Sequence, residues 1–309
     1  MIKRQTTFVL GAGCSLEFGF PTGFGLVRQL SLQDASGTLS QPLAQLIALG
    51  FDDNTVRAFS IALSRSGRSS VDAFLEHRTD MLEIGKAAIA TALIPKESQD
   101  SLFRPDHGSQ SLYQYLWECL NAKPRDFYKN RVNFITFNYD RSLEEYLSVA
   151  LTNAYGLAPY EAAEILSQLT VNHVHGSLGN HPAFYRTETR GYVSDFTESE
   201  VRLAASQIKI IHEKVDETPE LLRAREALQQ SDVVVFLGFG YDSTNLRRLD
   251  VKQIPFTANM FGTAFDLTKI ERNAVTEQFP AGLMLGGRAE TALTFLREHV
   301  PLSLDATFG

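Results

Sequence analysis

Cysteine is scarce in this chain of 309 residues: Cys14 and Cys119 are the only two, and they lie far apart. A zinc site with four cysteine ligands is therefore impossible within the chain, and there is no closely spaced pair for a zinc finger. Long apolar runs are also missing. The longest strongly apolar stretch, residues 233–241, is too short to span a bilayer. The first six residues lead into a short strand-like run and then a glycine, not into a long apolar segment with a cleavage site. The expected setting is the cytoplasm, with reduced thiols and no membrane contact. Positive charge is not in excess either, with 29 Lys and Arg against 36 Asp and Glu, a net charge of −7. Bulk charge of that sign does not draw a protein to phosphate backbones or anionic lipid, so no direct nucleic-acid binding is expected. A disordered chain is excluded by 44% apolar and only 21% charged residues, and a collagen-like repeat by ordinary numbers of Gly and Pro.

Short apolar runs punctuated by glycine are what the chain does have. Thr7-Phe-Val-Leu10 reads as a buried strand stopped by Gly11. Val132-Asn-Phe-Ile-Thr-Phe137 and Asp232-Val-Val-Val-Phe-Leu237 read the same way, and Thr170-Val-Asn-His-Val-His175 alternates like a short strand. A further strand interrupted by a glycine is expected within 257–265. Helices are expected over 142–150, over 197–230 with a break at Pro219, and over 289–299. Strands alternating with helices predict an α/β fold with a parallel sheet. Residues 31–129 differ in texture: their apolar residues recur at spacings of three and four, and 94–109 is polar with two prolines. The expected organisation is one α/β domain formed by 1–30 and 130–309, interrupted by a mostly helical insertion at 31–129, with a loop at 94–109.

The first glycine turn, Leu10-Gly-Ala-Gly-Cys-Ser15, follows a strand and opens a helix start. Glycines let backbone approach a ligand, and helix N-termini offer amides to phosphate. The usual dinucleotide fingerprint needs a third glycine three positions on, where Leu16 stands. Taken alone, the turn is either a phosphate loop or a structural strand-to-helix connection.

Three more segments sit at predicted strand ends, where open α/β sheets place ligands. They are Thr136-Phe-Asn-Tyr-Asp140, His175-Gly-Ser-Leu-Gly179 and Gly238-Phe-Gly-Tyr-Asp242. With Gly11-Ala-Gly13 in front, their order resembles the sirtuin superfamily, and specifically the zinc-free prokaryotic sirtuin-like proteins, many of which are antiviral NAD hydrolases. The likeness covers about 1–30 and 130–270, with Val71-Asp-Ala-Phe-Leu75 as a further family-like element in the insertion. Two departures bear on activity. The four-cysteine zinc ribbon of the deacylases cannot form, and no counterpart is visible to their substrate-pairing segment. The resemblance therefore implies a sirtuin-like Rossmann sheet that uses NAD as substrate, with no zinc and no other metal.

It also implies roles, each with a structural alternative. Asn138 corresponds to the asparagine near the nicotinamide ribose that orders the attacking group; otherwise it is a turn residue. Asp140 supports the site or caps the following helix. His175 is the family's active-site histidine, able to take a proton near neutral pH; His173 is read as structural. Gly11, Ala12, Gly13, Ser15, Thr22, Gly238 and Gly240 line the dinucleotide, and Ser243 and Asn245, with Asp242, bond a ribose or cap a helix. Phe20 or Phe24 covers nicotinamide or packs in the core. Cys14 fills space, and Arg247-Arg248 reads as a solvated helix face. The implied activity is NAD glycohydrolase, an NAD-depleting effector of antiviral defence that works as a homo-oligomer, with a partner such as a HerA-type ATPase or a short Argonaute. The alternatives are an ADP-ribosyl or acyl transferase, and a non-catalytic NAD or ADP-ribose sensor that gates a partner.

Overall fold

Uninterrupted runs of β-branched and aromatic residues make strands that are buried on both faces, as parallel sheets require. Two of these, Thr6–Leu10 (β1) and Val233–Leu237 (β4), are buried at every residue. A computed structural model of the chain, which describes residues 1–31, 37–103, 110–210 and 217–302, joins them to Val132–Thr136 (β2), Thr170–His173 (β3), Asn259–Gly262 (β5) and Met284–Leu285 (β6). All pair in parallel, in the order β3-β2-β1-β4-β5-β6. The predicted α/β fold with a parallel Rossmann-type sheet is thus present. The direction of strand progression reverses at β1, which pairs with β2 on one side and β4 on the other.

Side chains along β1 alternate between two apolar clusters. Phe8 and Leu10 join a cluster with Phe134, Val235 and Leu237, whereas Val9 joins Ile135, Val234 and Phe236 on the opposite face. Phe8 and Phe134 are cross-strand partners and stack at 5.4 Å. The second face is covered by the helix Pro219–Gln229, through Leu221, Ala224 and Leu228.

The first face is covered from within 31–129. Its described residues form helices and no strand, chiefly Gln41–Ala48, Asp53–Arg65, Val71–Leu75, Leu82–Leu93 and Leu112–Leu120. The helix Leu82–Leu93 is buried almost all round, and its small residues Gly85, Ala87 and Ala88 permit close approach. Leu75 packs where any side chain on Gly85 would stand. These helices share one apolar cluster with β1 and β2, so the segment is part of the core on that face of the sheet.

Several elements differ from expectation. The segment 94–109 is not simply a loop: it holds a 3-10 turn at Ile94–Lys96 and a short helix at Gln99–Leu102, while 104–109 lie outside the described residues. So do 32–36 of the expected insertion, 211–216 of the expected helical stretch 197–230, and 303–309. That stretch forms two helices, Glu198–Gln207 and Pro219–Gln229, with Pro219 at the first helical position, where its missing N–H costs nothing. The strand expected over 170–175 stops at His173 because the chain turns there. Gly176 donates to the His173 carbonyl at 3.2 Å and adopts a left-handed φ of 70°. His173 and His175 therefore do not share a strand face. Among the described residues, no helix is long and apolar enough to cross a membrane.

Candidate active site

The loops that follow β1, β2, β3 and β4 meet at the carboxyl end of the sheet, beside the reversal point, where ligands bind in open α/β folds. The loops after β1 and β4 pack backbone against backbone. Gly11 donates to the Leu237 carbonyl at 2.9 Å, and Gly13 donates to the Gly238 carbonyl at 3.0 Å. A Cβ on Gly11 would stand 2.4 Å from the Gly238 carbonyl oxygen, and one on Gly13 2.7 Å from the Gly238 Cα. These glycines are required by the contact between the two loops, which also engages the amides of Gly11 and Gly13. Ala12 is half-buried beside them. Cys14 is buried, donates its thiol to the Leu237 carbonyl at 3.0 Å, and burial pushes its ionisation far up. It is a packing residue, as expected.

Asn138 joins the loop after β2 to this pair. Its Nδ2 donates to the Gly11 carbonyl at 3.1 Å and to the Ser15 hydroxyl at 3.1 Å. A carbonyl only accepts, so the amide orientation is fixed. Both amide hydrogens are engaged, and Oδ1 is left buried without a hydrogen-bond partner. Toward a ligand, Asn138 therefore offers an acceptor only.

Ser15 is fully buried beneath the loop and also reaches Asp140. Asp140 Oδ1 accepts from the Ser142 amide at 3.2 Å and from the Ser142 hydroxyl. Burial pushes the Asp140 carboxyl above the usual range, although the hydroxyls of Ser142 and Ser15 pull it back. Asp140 thus holds the start of the helix Ser142–Tyr155 and, through Ser15, also the side chain of Asn138. Beyond the helix start, Arg141 is fully buried against Glu97.

The two histidines separate in environment. His173 Nδ1 faces the Asn138 carbonyl at 2.9 Å, and Nε2 faces Glu144 at 2.6 Å. The carbonyl can only accept, so Nδ1 carries a proton, and the bond to a Glu144 carboxylate makes the ring an imidazolium. Burial disfavours that charge, but Glu144 and the Asn138 carbonyl outweigh it and hold the His173 pKa above its ordinary 6.5. Glu144 is held below its ordinary 4.5, its own burial being outweighed by His173. This structural role agrees with the sequence reading. His175 sits in the turn after β3, packed beside Phe137 at 5.5 Å and Tyr139 at 6.3 Å between ring centres. Its Nδ1 is buried without a hydrogen-bond partner, 3.6 Å from Asp72 Oδ1. A Cβ on Gly176 would overlap the Gln207 carbonyl, so this turn requires glycine.

The remaining predicted residues form the surroundings. Thr22 caps the helix Gly23–Leu30 by accepting from the Gly25 amide at 3.1 Å. Phe20 is core, whereas Phe24 is 61% exposed. Gly240 lies in open space and Ser243 is exposed. Asp242 caps the next helix through the amides of Thr244 and Asn245 at 2.9 and 3.2 Å. The pair Arg247-Arg248 is split: Arg247 is exposed, as a solvated face requires, but Arg248 is not. Arg248 is buried and bonds Glu76 at 2.9 Å, because the helix Ser243–Leu249 turns it toward the helix Val71–Leu75.

Asp72 and Glu76 stand one helical turn apart, so they share a face. Asp72 accepts from the Tyr139 hydroxyl and lies beside His175, while Glu76 reaches Arg248. The helix Val71–Leu75 thereby touches elements that follow β2, β3 and β4. In the sequence this helix is marked by the family-like Val71-Asp-Ala-Phe-Leu75 and by the apolar spacing of Val71, Phe74 and Leu75.

A cavity of about 350 Å3 lies next to this region, beside β3, lined by residues that include Asn172, His173, Gly176, Lys209, Glu220 and Arg223. Lys209 and Arg223 share one carboxylate there, each bonding Glu220 at 3.0 Å. Among the described residues, the buried side-chain atoms without a hydrogen-bond partner include Asn138 Oδ1 and His175 Nδ1, both at this end of the sheet. Among the described residues, no three His, Cys, Asp or Glu side chains converge as metal ligands. Comparison with protein families and with curated proteins found nothing that matches this chain.

Proposed function

We propose that the chain cleaves NAD between nicotinamide and ribose, releasing nicotinamide and ADP-ribose. The observation that carries this reading is the Asn138 side-chain oxygen, Oδ1: buried, fixed in direction, without a partner, and set at the reversal point of a 3-2-1-4-5-6 sheet. An acceptor held in this way suits a ribose hydroxyl or the attacking water. His175, whose Nδ1 is likewise unpartnered, supplies the base.

The chemistry asks little more of the protein. The glycosidic C–N bond breaks with its electron pair passing to the pyridinium nitrogen, which leaves as neutral nicotinamide. Water adds to the oxocarbenium carbon, and its proton passes to His175 and on to solvent. Positioning by Asn138 and proton removal by His175 are the protein's contributions. The resemblance to antiviral NAD hydrolases supports an NAD-depleting role in defence, in the cytoplasm, as a homo-oligomer with a partner of the HerA-type ATPase or short Argonaute kind.

Incubation of the protein with NAD, alone and with the product of the neighbouring gene, followed by chromatography, tests the reading. Nicotinamide and free ADP-ribose in equal amounts are expected. ADP-ribose attached to protein would point to a transferase, and tight binding without turnover to a sensor.

The histidines provide an internal contrast. His175→Ala is expected to abolish turnover and spare NAD binding. His173→Ala is expected to cost about 1–3 kcal/mol of stability through loss of a buried charged hydrogen bond, with a small effect on rate. The sign of the pH dependence follows from the two shifts. The raised pKa of His173 stabilises the fold fully below its ordinary 6.5, and this is lost as pH rises through its folded value. The depressed pKa of Glu144 stabilises above its ordinary 4.5, and this is lost as pH falls through its folded value. The stability gap between wild type and His173→Ala, read from urea midpoints, is therefore widest between about pH 4.5 and 6.5 and narrows above. A gap that grows as pH rises above 6.5 would contradict the imidazolium assignment.

A further inference from the structure

We propose that Asp72, contributed by the helix Val71–Leu75, is the positioning residue for His175, holding its proton on Nδ1 so that the Nε2 lone pair is free to act as base. This rests on the NAD-cleaving reading for its catalytic consequence, but not for the contact itself. Two observations and the chemistry of a carboxylate support it. His175 Nδ1 is buried with no hydrogen-bond partner, and Asp72 Oδ1 is the carboxylate 3.6 Å away. That separation is too long for a hydrogen bond, and the proposed positioning requires the two groups to close it. A carboxylate accepts and does not donate, so closure requires hydrogen on Nδ1, which fixes the tautomer.

The carboxylate is itself held in place. The Tyr139 hydroxyl donates to the same Oδ1, and Tyr139 also flanks the His175 ring. Val71, Phe74 and Leu75 anchor the helix in the core, and Leu75 is seated over Gly85. One turn on, Glu76 bonds the buried Arg248. The Ser70 hydroxyl caps the helix by accepting from the Ala73 amide at 3.1 Å. Asp72 is thus fixed at both ends of a short helix that cannot slide without breaking the Tyr139 and Arg248 bonds together. The arrangement has the logic of an acid–histidine pair in which the carboxylate orients the ring and never reacts.

The test is carried out on the full chain. Long-range proton–nitrogen correlation spectra of the histidine side chains, recorded above the imidazole titration, report which ring nitrogen carries the proton. Wild-type His175 is expected to be protonated on Nδ1. Asp72→Asn is expected to shift His175 toward Nε2 protonation while His173 is unchanged, and Asp72→Glu, which keeps a carboxylate, is expected to retain the Nδ1 form. With NAD, Asp72→Asn should lower kcat on the order of 10²–10⁴-fold with little change in KM, and Asp72→Glu should recover part of it. A wild-type His175 protonated on Nε2, or an unchanged tautomer in Asp72→Asn, overturns the proposal. If wild type and variants alike fail to cleave NAD while the tautomers behave as expected, the hydrolase reading falls and the Asp72 contact stands.

Discussion

Asn138→Ala is expected to lower NAD cleavage on the order of a hundredfold or more, the usual cost of losing one fixed polar group that serves the transition state. The structure adds a second consequence. The Asn138 amide also bridges the Gly11 carbonyl and the Ser15 hydroxyl, both buried. Deleting it leaves those acceptors without their donor, at a cost of about 1–3 kcal/mol. Rate and stability can be separated with Asn138→Asp, which keeps an oxygen in place of Oδ1 but removes both N–H donors and sets a carboxylate against the Gly11 carbonyl. Asn138→Asp should be the less stable of the two variants by urea midpoint. Nicotinamide release measured on folded Asn138→Ala decides the functional half, and near-normal turnover would remove Asn138 from the mechanism.

The central strands and two of the site's side chains are legible in the sequence for a common reason. A strand buried on both faces must be apolar without interruption, so β1, β2 and β4 announce themselves, and the residues just beyond them, Asn138 among them, are placed by the fold itself. Two-residue β6 is too short to carry a pattern. The helix Lys269–Thr276 has a readable start, because Thr268 and Glu271 form a capping box, yet its apolar residues are few. The helix Pro159–Leu166 begins at a proline that reads equally as a turn. What sequence could not reveal is which hydrogen-bonding groups are already taken. Gly11 and Gly13 read as a ligand cradle, but their amides are engaged by the loop after β4. Asn138 reads as donor and acceptor, but only its acceptor is free. Asp72 reaches the site across a long span of chain, through a helix whose docking depends on Gly85 and Leu75 meeting. Such facts belong to tertiary contacts, which no local pattern encodes.

Glu97→Ala is expected to be among the most destabilising single changes in the chain, by about 3–5 kcal/mol, because it leaves buried guanidinium groups without their carboxylate. Glu97, Arg141 and Arg190 are all buried. Arg141 bonds both Glu97 oxygens, at 2.7 and 2.8 Å from its Nη2, and Arg190 bonds Glu97 from the other side. The guanidiniums have further acceptors, Arg141 in the carbonyls of Arg190 and Gly191, and Arg190 in that of Leu178. Neutral carbonyls cannot replace the lost charge. An exposed pair is the natural control: Asp53→Ala, which breaks the solvent-facing bond to Arg57, should cost less than about 1 kcal/mol. The cluster also ties together three parts of the chain, since Glu97 comes from the helical segment, Arg141 from the start of the helix after β2, and Arg190 from the loop after β3. With the shared apolar core, this predicts a single cooperative unfolding transition for the wild type rather than separate melting of 31–129 and the sheet. Two resolved transitions in the wild type, or a Glu97→Ala midpoint no lower than that of Asp53→Ala, would show that the cluster does not join these parts. Because Arg141 directly follows Asp140, the same substitution should also loosen the turn that carries Asn138, so turnover in Glu97→Ala is expected to fall even at temperatures where the variant remains folded.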